Sequence, residues 1–149
     1  MDKTPEACPM PLGGDDARIK SLLEKPSVVA VVGMSPKAER PSNEVGLYLH
    51  RQGFEVIPVH PKAEQIGGLT VYPSLEAIPE DVQVEIVDLF VSGERTLDVV
   101  EQAAKIGAKW VWFQPGTENT ASEARARELG LEVVSGRCTM AEHLRLIGS

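Results

Sequence analysis

Five short, predominantly apolar runs recur along the chain: Val28–Val32, Phe54–Val59, Val84–Leu89, Lys109–Phe113 and Leu131–Val134. Each is rich in β-branched or aromatic residues and too short for a helix, so each reads as a strand. Helical patterns fall between them. Ile19, Leu22 and Leu23 share one face of a first helix over about Asp15–Glu24. A second helix spans about Asn43–Gln52, with Ser42 or Asn43 placed to cap it and Gly53 to stop it. Leu97, Val100 and Ala104 form a stripe on a helix over Glu94–Lys105. Thr120 with Glu123, and Thr139 with Glu142, have capping-box spacing for two more, ending near Leu129 and Ile147. Gly67–Tyr72 reads as a turn and a short extended piece, and Ser74–Ile78 as a short helix closed by Pro79. Strands that alternate with helices predict an α/β fold: a mainly parallel five-stranded sheet with helices on both faces.

At 149 residues the chain fits one domain. Residues 1–14 carry acidic and basic side chains and three prolines, without the apolar core of a signal peptide. They read as a flexible leader on a cytoplasmic protein, with the domain over 15–149. The formal charge of −7 argues against a broad nucleic-acid surface, though not against a local basic pocket. No run approaches the ~20 apolar residues of a membrane helix, so neither nucleic acid nor membrane is expected as a partner. Cys8 and Cys138 show no CxxC or metal spacing, and no disulfide between them is expected in a reducing compartment. His50, His60 and His143 are scattered, so a metal site has little support.

In a parallel sheet, ligands bind outside the strand C-termini where the strand order reverses. The candidate segments are therefore Gly33–Ser42, His60–Lys62, Phe90–Ser92 and Gln114–Thr117. The first is the most informative. A strand, a glycine turn and a helix present backbone N–H groups to a phosphate. Gly33 has no Cβ and allows close approach. Ser35 and Ser42 offer hydroxyls, and Lys37 and Arg40 offer positive charge. A plain strand–helix connection with solvated charges explains the same residues, and the full GxGxxG pattern is absent.

The end of the second strand narrows the choice. NAD sites usually place an acid there to hold the ribose hydroxyls. Here the chain runs Val59-His60-Pro61-Lys62, and the nearest acid, Glu55, lies early in the strand. Lys62 suits a phosphate on an adenosine ribose, which NADP and coenzyme A both carry. A solvated loop lysine is the plain alternative.

Several segments together carry a resemblance. They are Val32-Gly33-Met34-Ser35-Pro36, Arg40-Pro41-Ser42, Ile57-Pro58-Val59-His60-Pro61, Val87-Asp88-Leu89-Phe90, Trp112-Phe113-Gln114-Pro115-Gly116, and Arg137-Cys138 followed by Glu142-His143. In this order, over about Pro26 to Ile147, the chain resembles the CoA-binding protein family. Its Rossmann-like, doubly wound domain is related to the N-terminal domain of the succinyl-CoA synthetase α subunit. His60 stands where relatives usually have Asn, and Val91 where many have Arg. The resemblance implies a pyrophosphate site at Gly33, Ser35, Pro36 and Ser42, assisted or covered by Lys37 and Arg40, with Met34 also counted among the cofactor-binding residues. It implies that Val59, His60, Pro61 and Lys62 border the adenine and its phosphorylated ribose. Phe90 and Val91 would flank adenine or pantetheine, and Gln114 and Gly116 would line the pantetheine side. The implied cofactor is coenzyme A or an acyl-CoA.

Catalysis is less well supported. Ser35, His60 and Asp88 each lie near a strand end and could form a hydrolase triad, but the GxSxG elbow is absent. Asp88 reads better as a strand-end acceptor, and His143 as a packing or surface residue. Cys138 follows the fifth strand, where a thiol near bound CoA could form a mixed disulfide. Trp110 and Trp112 are expected to pack into the two faces of the sheet. The expected role is a small CoA-binding sensor, carrier or regulatory module. The alternatives are a CoA-using acyl transferase or ligase component completed by a partner, and an NADP-binding oxidoreductase. A homodimer or an unidentified protein partner is compatible with so small a domain.

Overall fold

The computed structural model describes residues 14–148. The proposed leader and Cys8 lie outside the described residues, apart from Gly14. In chain order the elements are α1 (Gly14–Leu23), β1 (Val28–Val32), α2 (Pro41–Arg51), β2 (Glu55–Val59), β3 (Gln65–Ile66), β4 (Leu69–Thr70), β5 (Ile86–Leu89), α3 (Thr96–Lys105), β6 (Trp110–Phe113), α4 (Thr120–Glu128), β7 (Glu132–Ser135) and α5 (Thr139–Leu146). Single 3-10 turns at Leu75–Ala77 and Gly93–Arg95 precede β5 and α3. Five strands form one sheet in the order β2-β1-β5-β6-β7, and every pairing is parallel. β3 and β4 make a separate antiparallel pair. The fold is thus α/β and Rossmann-like.

Burial on both sides explains why the strands read as apolar runs rather than alternating ones. Ala30, Val32, Val87, Leu89, Val111 and Phe113 face one core, with Val100 and Ala103 of α3 and Ala126 of α4. Val29, Val31, Ile86 and Trp112 face the other, with Ile19 and Leu23 of α1 and Val45, Tyr48 and Leu49 of α2. Trp110 packs beside Trp112 in this second core. The expectation that the two tryptophans divide between faces is therefore corrected. A strand has period two, so residues i and i+2 share a side.

Helix starts differ from the sequence reading in an instructive way. Neither Ser42 nor Asn43 caps α2; Arg40 occupies the cap and Pro41 the first turn. Proline suits that position because its missing N–H would have no helical partner. Asn119, not Thr120, caps α4: its Oδ1 accepts from Ser122 N at 3.0 Å. Cys138 occupies the cap of α5, and Thr139 directs its hydroxyl elsewhere. In each case the freed side chain makes a tertiary hydrogen bond or leaves the cap to its neighbour.

α5 is tied to both helices on its face. The Tyr48 hydroxyl and Nδ1 of His143 share a buried hydrogen bond at 2.7 Å. Burial pushes the His143 pKa down and favours the neutral ring. His143 is thus a packing residue. Arg145 and Arg137 reach Asp16 of α1. The Arg145 hydrogen bond, foremost, holds the Asp16 carboxyl below its usual range. Among the described residues no helix is long and apolar enough to cross a membrane.

Candidate functional site

The chain passes from β1 to β2 on one side of the sheet, then from β5 to β6 and β7 on the other. The order reverses between β1 and β5, and α2 and α3 leave the sheet on opposite faces. A crevice between the two strand ends follows from this geometry.

Gly33 forms its floor. Its φ is +89°, and an added Cβ would lie 2.8 Å from Phe90 O and 3.1 Å from Val91 Cγ1. No side chain fits there. Cross-strand bonds hold the place: Gly33 N donates to Val59 O at 2.8 Å, and Phe90 N to Val32 O at 2.9 Å.

The following loop is clamped by α2. Ser35 N donates to Ser42 Oγ at 2.9 Å, Lys37 N to Ser35 Oγ at 3.1 Å, and Asn43 Nδ2 to Ser35 O at 2.8 Å. Both serine oxygens therefore act as acceptors toward the protein and keep their O–H hydrogens to donate. Among the described residues the Ser42 N–H, in the first turn of α2, also lacks a partner. Donors, a helix N-terminus and the Lys37 and Arg40 side chains converge on one spot, as anion binding requires.

Two adjoining clefts open from this floor. On the α2 side a cleft of about 790 Å³ is lined by Ser35, Pro36, Lys37, Arg40 and Ser42, and by Gln114, Gly116 and Cys138 opposite. On the α3 side a cleft of about 720 Å³ is lined by Val59, Pro61, Leu75, Val99, Arg95 and Gln102. Gly33, His60, Phe90, Val91 and Ser92 line both. The fold thus brings thirteen of the fifteen sequence-derived site residues to one crevice, counting Gly33, Ser35, Pro36, Lys37, Arg40, Ser42, Val59, His60, Pro61, Phe90, Val91, Gln114 and Gly116.

Two residues stand apart. The Met34 side chain is fully buried and packs under Gly46 of α2, so it cannot face a ligand. Lys62 is exposed and lines neither cleft; its backbone N–H donates to Nδ1 of His60 at 3.1 Å. The same ring nitrogen accepts from Ala63 N at 3.1 Å. His60 thereby caps its own turn, as an asparagine oxygen does in an Asx turn. With Nδ1 accepting, the neutral ring carries its hydrogen on Nε2.

Sequence reasoning missed the α3 side. Arg95, Val99 and Gln102 are spaced four and three residues apart, so they fall on one helix face. That spacing was the available signal. It reads equally as a solvated face until the sheet edge is known.

Behind the crevice lies a buried polar chain. Gln114 Oε1 accepts from Thr139 N at 3.0 Å and lies 2.9 Å from Thr139 Oγ1. Thr139 Oγ1 also lies 2.8 Å from Asp88 Oδ2. Asp88 is fully buried; desolvation pushes its pKa up to about 7 against the opposing Thr139 hydrogen bond. A hydroxyl has one hydrogen, so it cannot donate to both neighbours. When Asp88 is protonated, its acid hydrogen can go to Thr139 Oγ1 and the threonine hydrogen to Gln114 Oε1; when it is ionised, Thr139 donates to Asp88. Asp88 Oδ1 is left without a partner.

This arrangement disposes of the hydrolase triad. Among the described residues no hydrogen bond joins any two of Ser35, His60 and Asp88. Asp88 is spent on Thr139, and His60 on its own turn.

Comparison with known proteins follows from this geometry. Residues 27–144 match a family model described as a CoA binding domain. A hypothetical protein from Pyrococcus horikoshii OT3 superposes with a TM-score of 0.87 at 44% identity, covering 99% of this chain and 100% of that one. The uncharacterized protein YneT of Bacillus subtilis (strain 168) is 31% identical over 127 residues, which is 85% of this chain and 93% of YneT. The dinucleotide-forming acetyl-coenzyme A synthetase 1 of Ca. Korarchaeum cryptofilum matches with a TM-score of 0.68 at 25% identity. There the similarity covers 79% of this chain but 27% of the synthetase chain.

Proposed function

The chain belongs to the family of CoA binding domains, and from that premise we propose that it holds coenzyme A or an acyl-CoA across the crevice, as a binding module that senses, carries or regulates. The observation that carries this reading is the clamped Gly33–Ser42 loop, with its free hydroxyl hydrogens and two cations at the junction of two clefts. In a chain of net charge −7, such a local concentration of donors and cations suits a pyrophosphate. The α3-side cleft, with Val59, Leu75 and Val99 as apolar walls and Arg95 at its rim, suits adenine and its phosphorylated ribose. The α2-side cleft continues past Gln114 and Gly116 and suits pantetheine.

One observation favours a second reading, a ligase component completed by another chain. The Korarchaeum synthetase carries a similar fold as 27% of its length. Turnover assays with acyl-CoAs, with and without candidate partner proteins, separate the two.

Calorimetric titration of ligand-stripped protein with CoA, dephospho-CoA and NADP tests the binding itself. CoA is expected to bind more tightly than either control. Absence of CoA binding, or equal binding of NADP, overturns the assignment.

A further inference from the structure

Resting on the CoA reading above, we propose that Cys138 is a covalent anchoring site: its thiol exchanges with the disulfide form of coenzyme A and retains the cofactor as a protein mixed disulfide.

Cys138 is a free, partly exposed thiol that lines the α2-side cleft together with Gln114 and Gly116. Its backbone is held from several directions. Arg137 O accepts from Trp112 Nε1 at 2.6 Å, Cys138 O accepts from Glu142 N at 2.9 Å, and Thr139 N is bound to Gln114. The thiol is therefore presented from a fixed cap rather than a loose loop.

A second, separate feature points to a ligand at the same place. Gln114 is 3% exposed, yet it lines this cleft. A backbone N–H must find an acceptor, so the Thr139 N contact fixes the amide with Oε1 inward. Nε2 is then the end left toward the cleft, and among the described residues it has no hydrogen-bond partner. An amide N–H₂ without a protein partner, on a residue otherwise buried and open only to the cleft, suits a ligand carbonyl. Pantetheine carries two amide carbonyls, and the nearer of them to its thiol would place that thiol beside Cys138.

The chemistry favours exchange over acyl transfer. Among the described residues no acid–base side chain is hydrogen-bonded to the Cys138 sulfur, so it is not equipped as an acyl-transfer nucleophile. Thiol–disulfide exchange needs no built-in base. The Cys138 thiol gives its proton to solvent, and the thiolate attacks one sulfur of CoA disulfide. One sulfur–sulfur bond forms to Cys138 and one breaks. The second CoA leaves as a thiolate and takes up a proton. No further oxidant is required.

The test uses the full chain, reduced and then freed of reductant. It is incubated with CoA disulfide or, separately, with glutathione disulfide, and adducts are mapped by peptide mass spectrometry. The expected result is one CoA on Cys138, reversed by dithiothreitol. It should form about tenfold or more faster than the glutathione adduct, because binding supplies proximity. Desulfo-CoA, which lacks the thiol, should slow it. Cys8 serves as an internal reference. Equal labelling of Cys8 and Cys138, or equal rates with the two disulfides, overturns the proposal. Calorimetry with CoA under reducing conditions is run in parallel. CoA binding without a Cys138 adduct overturns the anchoring proposal alone, whereas absence of CoA binding overturns both.

Discussion

Gly33 is the residue on which the crevice depends. Its left-handed backbone and its 2.8 Å approach to Phe90 O exclude any Cβ. The backbone conformation alone costs a substituted residue about 1–3 kcal/mol, and the clash adds to it. Gly33→Ala is therefore expected to lower the free energy of urea unfolding by at least about 2 kcal/mol and to weaken CoA binding together with it. A variant of unchanged stability would mean that the strand ends move apart without penalty. Asp88 makes a pH-dependent contribution. Burial pushes its folded pKa up to about 7, against an ordinary 3.8. As pH rises through this window the unfolded chain loses its proton first, so the folded state loses stability, by roughly 4 kcal/mol at most. Below the window both states are protonated and nothing is lost. Asp88→Asn keeps a donor for Thr139 and removes the titration. The variant is expected to gain stability relative to wild type from about pH 4 to about pH 7 and to level off above it. A difference that stays flat with pH contradicts a neutral Asp88. The proposed contacts to the ribose phosphate are Arg95, which lines the α3-side cleft, and Lys62, which lies outside both clefts but follows His60 at the end of β2. Lys62→Ala and Arg95→Ala should each weaken CoA more than dephospho-CoA, by about 0.5–1.5 kcal/mol as suits exposed cations. Equal losses for both ligands would place that phosphate elsewhere.

At the scale of elements, α2 does two jobs at once. Its first turn clamps the phosphate loop through Ser42 and Asn43. One turn later, Gly46 lets the helix close over the buried Met34 side chain. An added Cβ there would lie 2.5 Å from Met34 Cε and 2.6 Å from its sulfur. A bulky residue must push the helix or the methionine aside, and the clamp moves with the helix. Gly46→Val is expected to cost about 1–3 kcal/mol in stability through overpacking and to weaken CoA binding disproportionately. If urea unfolding and calorimetry show stability falling while affinity holds, helix packing and loop clamping are independent. α5 acts from the other side. Thr139 N and Oγ1 set the orientation of Gln114, so a helix remote in sequence determines which polar atom faces the cleft.

For the whole molecule, a ligand that binds only the folded state stabilises it by mass action. At a hundredfold excess over Kd this amounts to about 2.7 kcal/mol. A chain of this size then gains roughly 5–10 °C in Tm. CoA is expected to give this shift, dephospho-CoA a smaller one and NADP little. Equal shifts from all three would indicate a general anion site rather than a CoA site. Because the two clefts share Gly33, His60, Phe90 and Val91, one ligand spanning both should protect β1 and β5 together in hydrogen exchange.

The amino-acid sequence determined by itself which segments become strands and helices, because apolar period and turn residues are local properties. All five strands of the main sheet were legible, and so was the convergence of loops such as Gly33–Ser42 and Gln114–Gly116, since parallel strands must expose their C-termini on one edge. What the tertiary structure decided was direction. Met34 and Ser35 are adjacent, yet Met34 enters the core, filling the space that Gly46 leaves, and Ser35 lines the crevice. Ser42 and Asn43 have the chemistry of helix caps, but the loop above α2 offered them better partners. Thr139 has the same chemistry and found Asp88 and Gln114, which lie 51 and 25 positions away. A side chain's alternatives can be listed from its own chemistry. Which alternative is realised depends on neighbours that only folding brings within hydrogen-bond range.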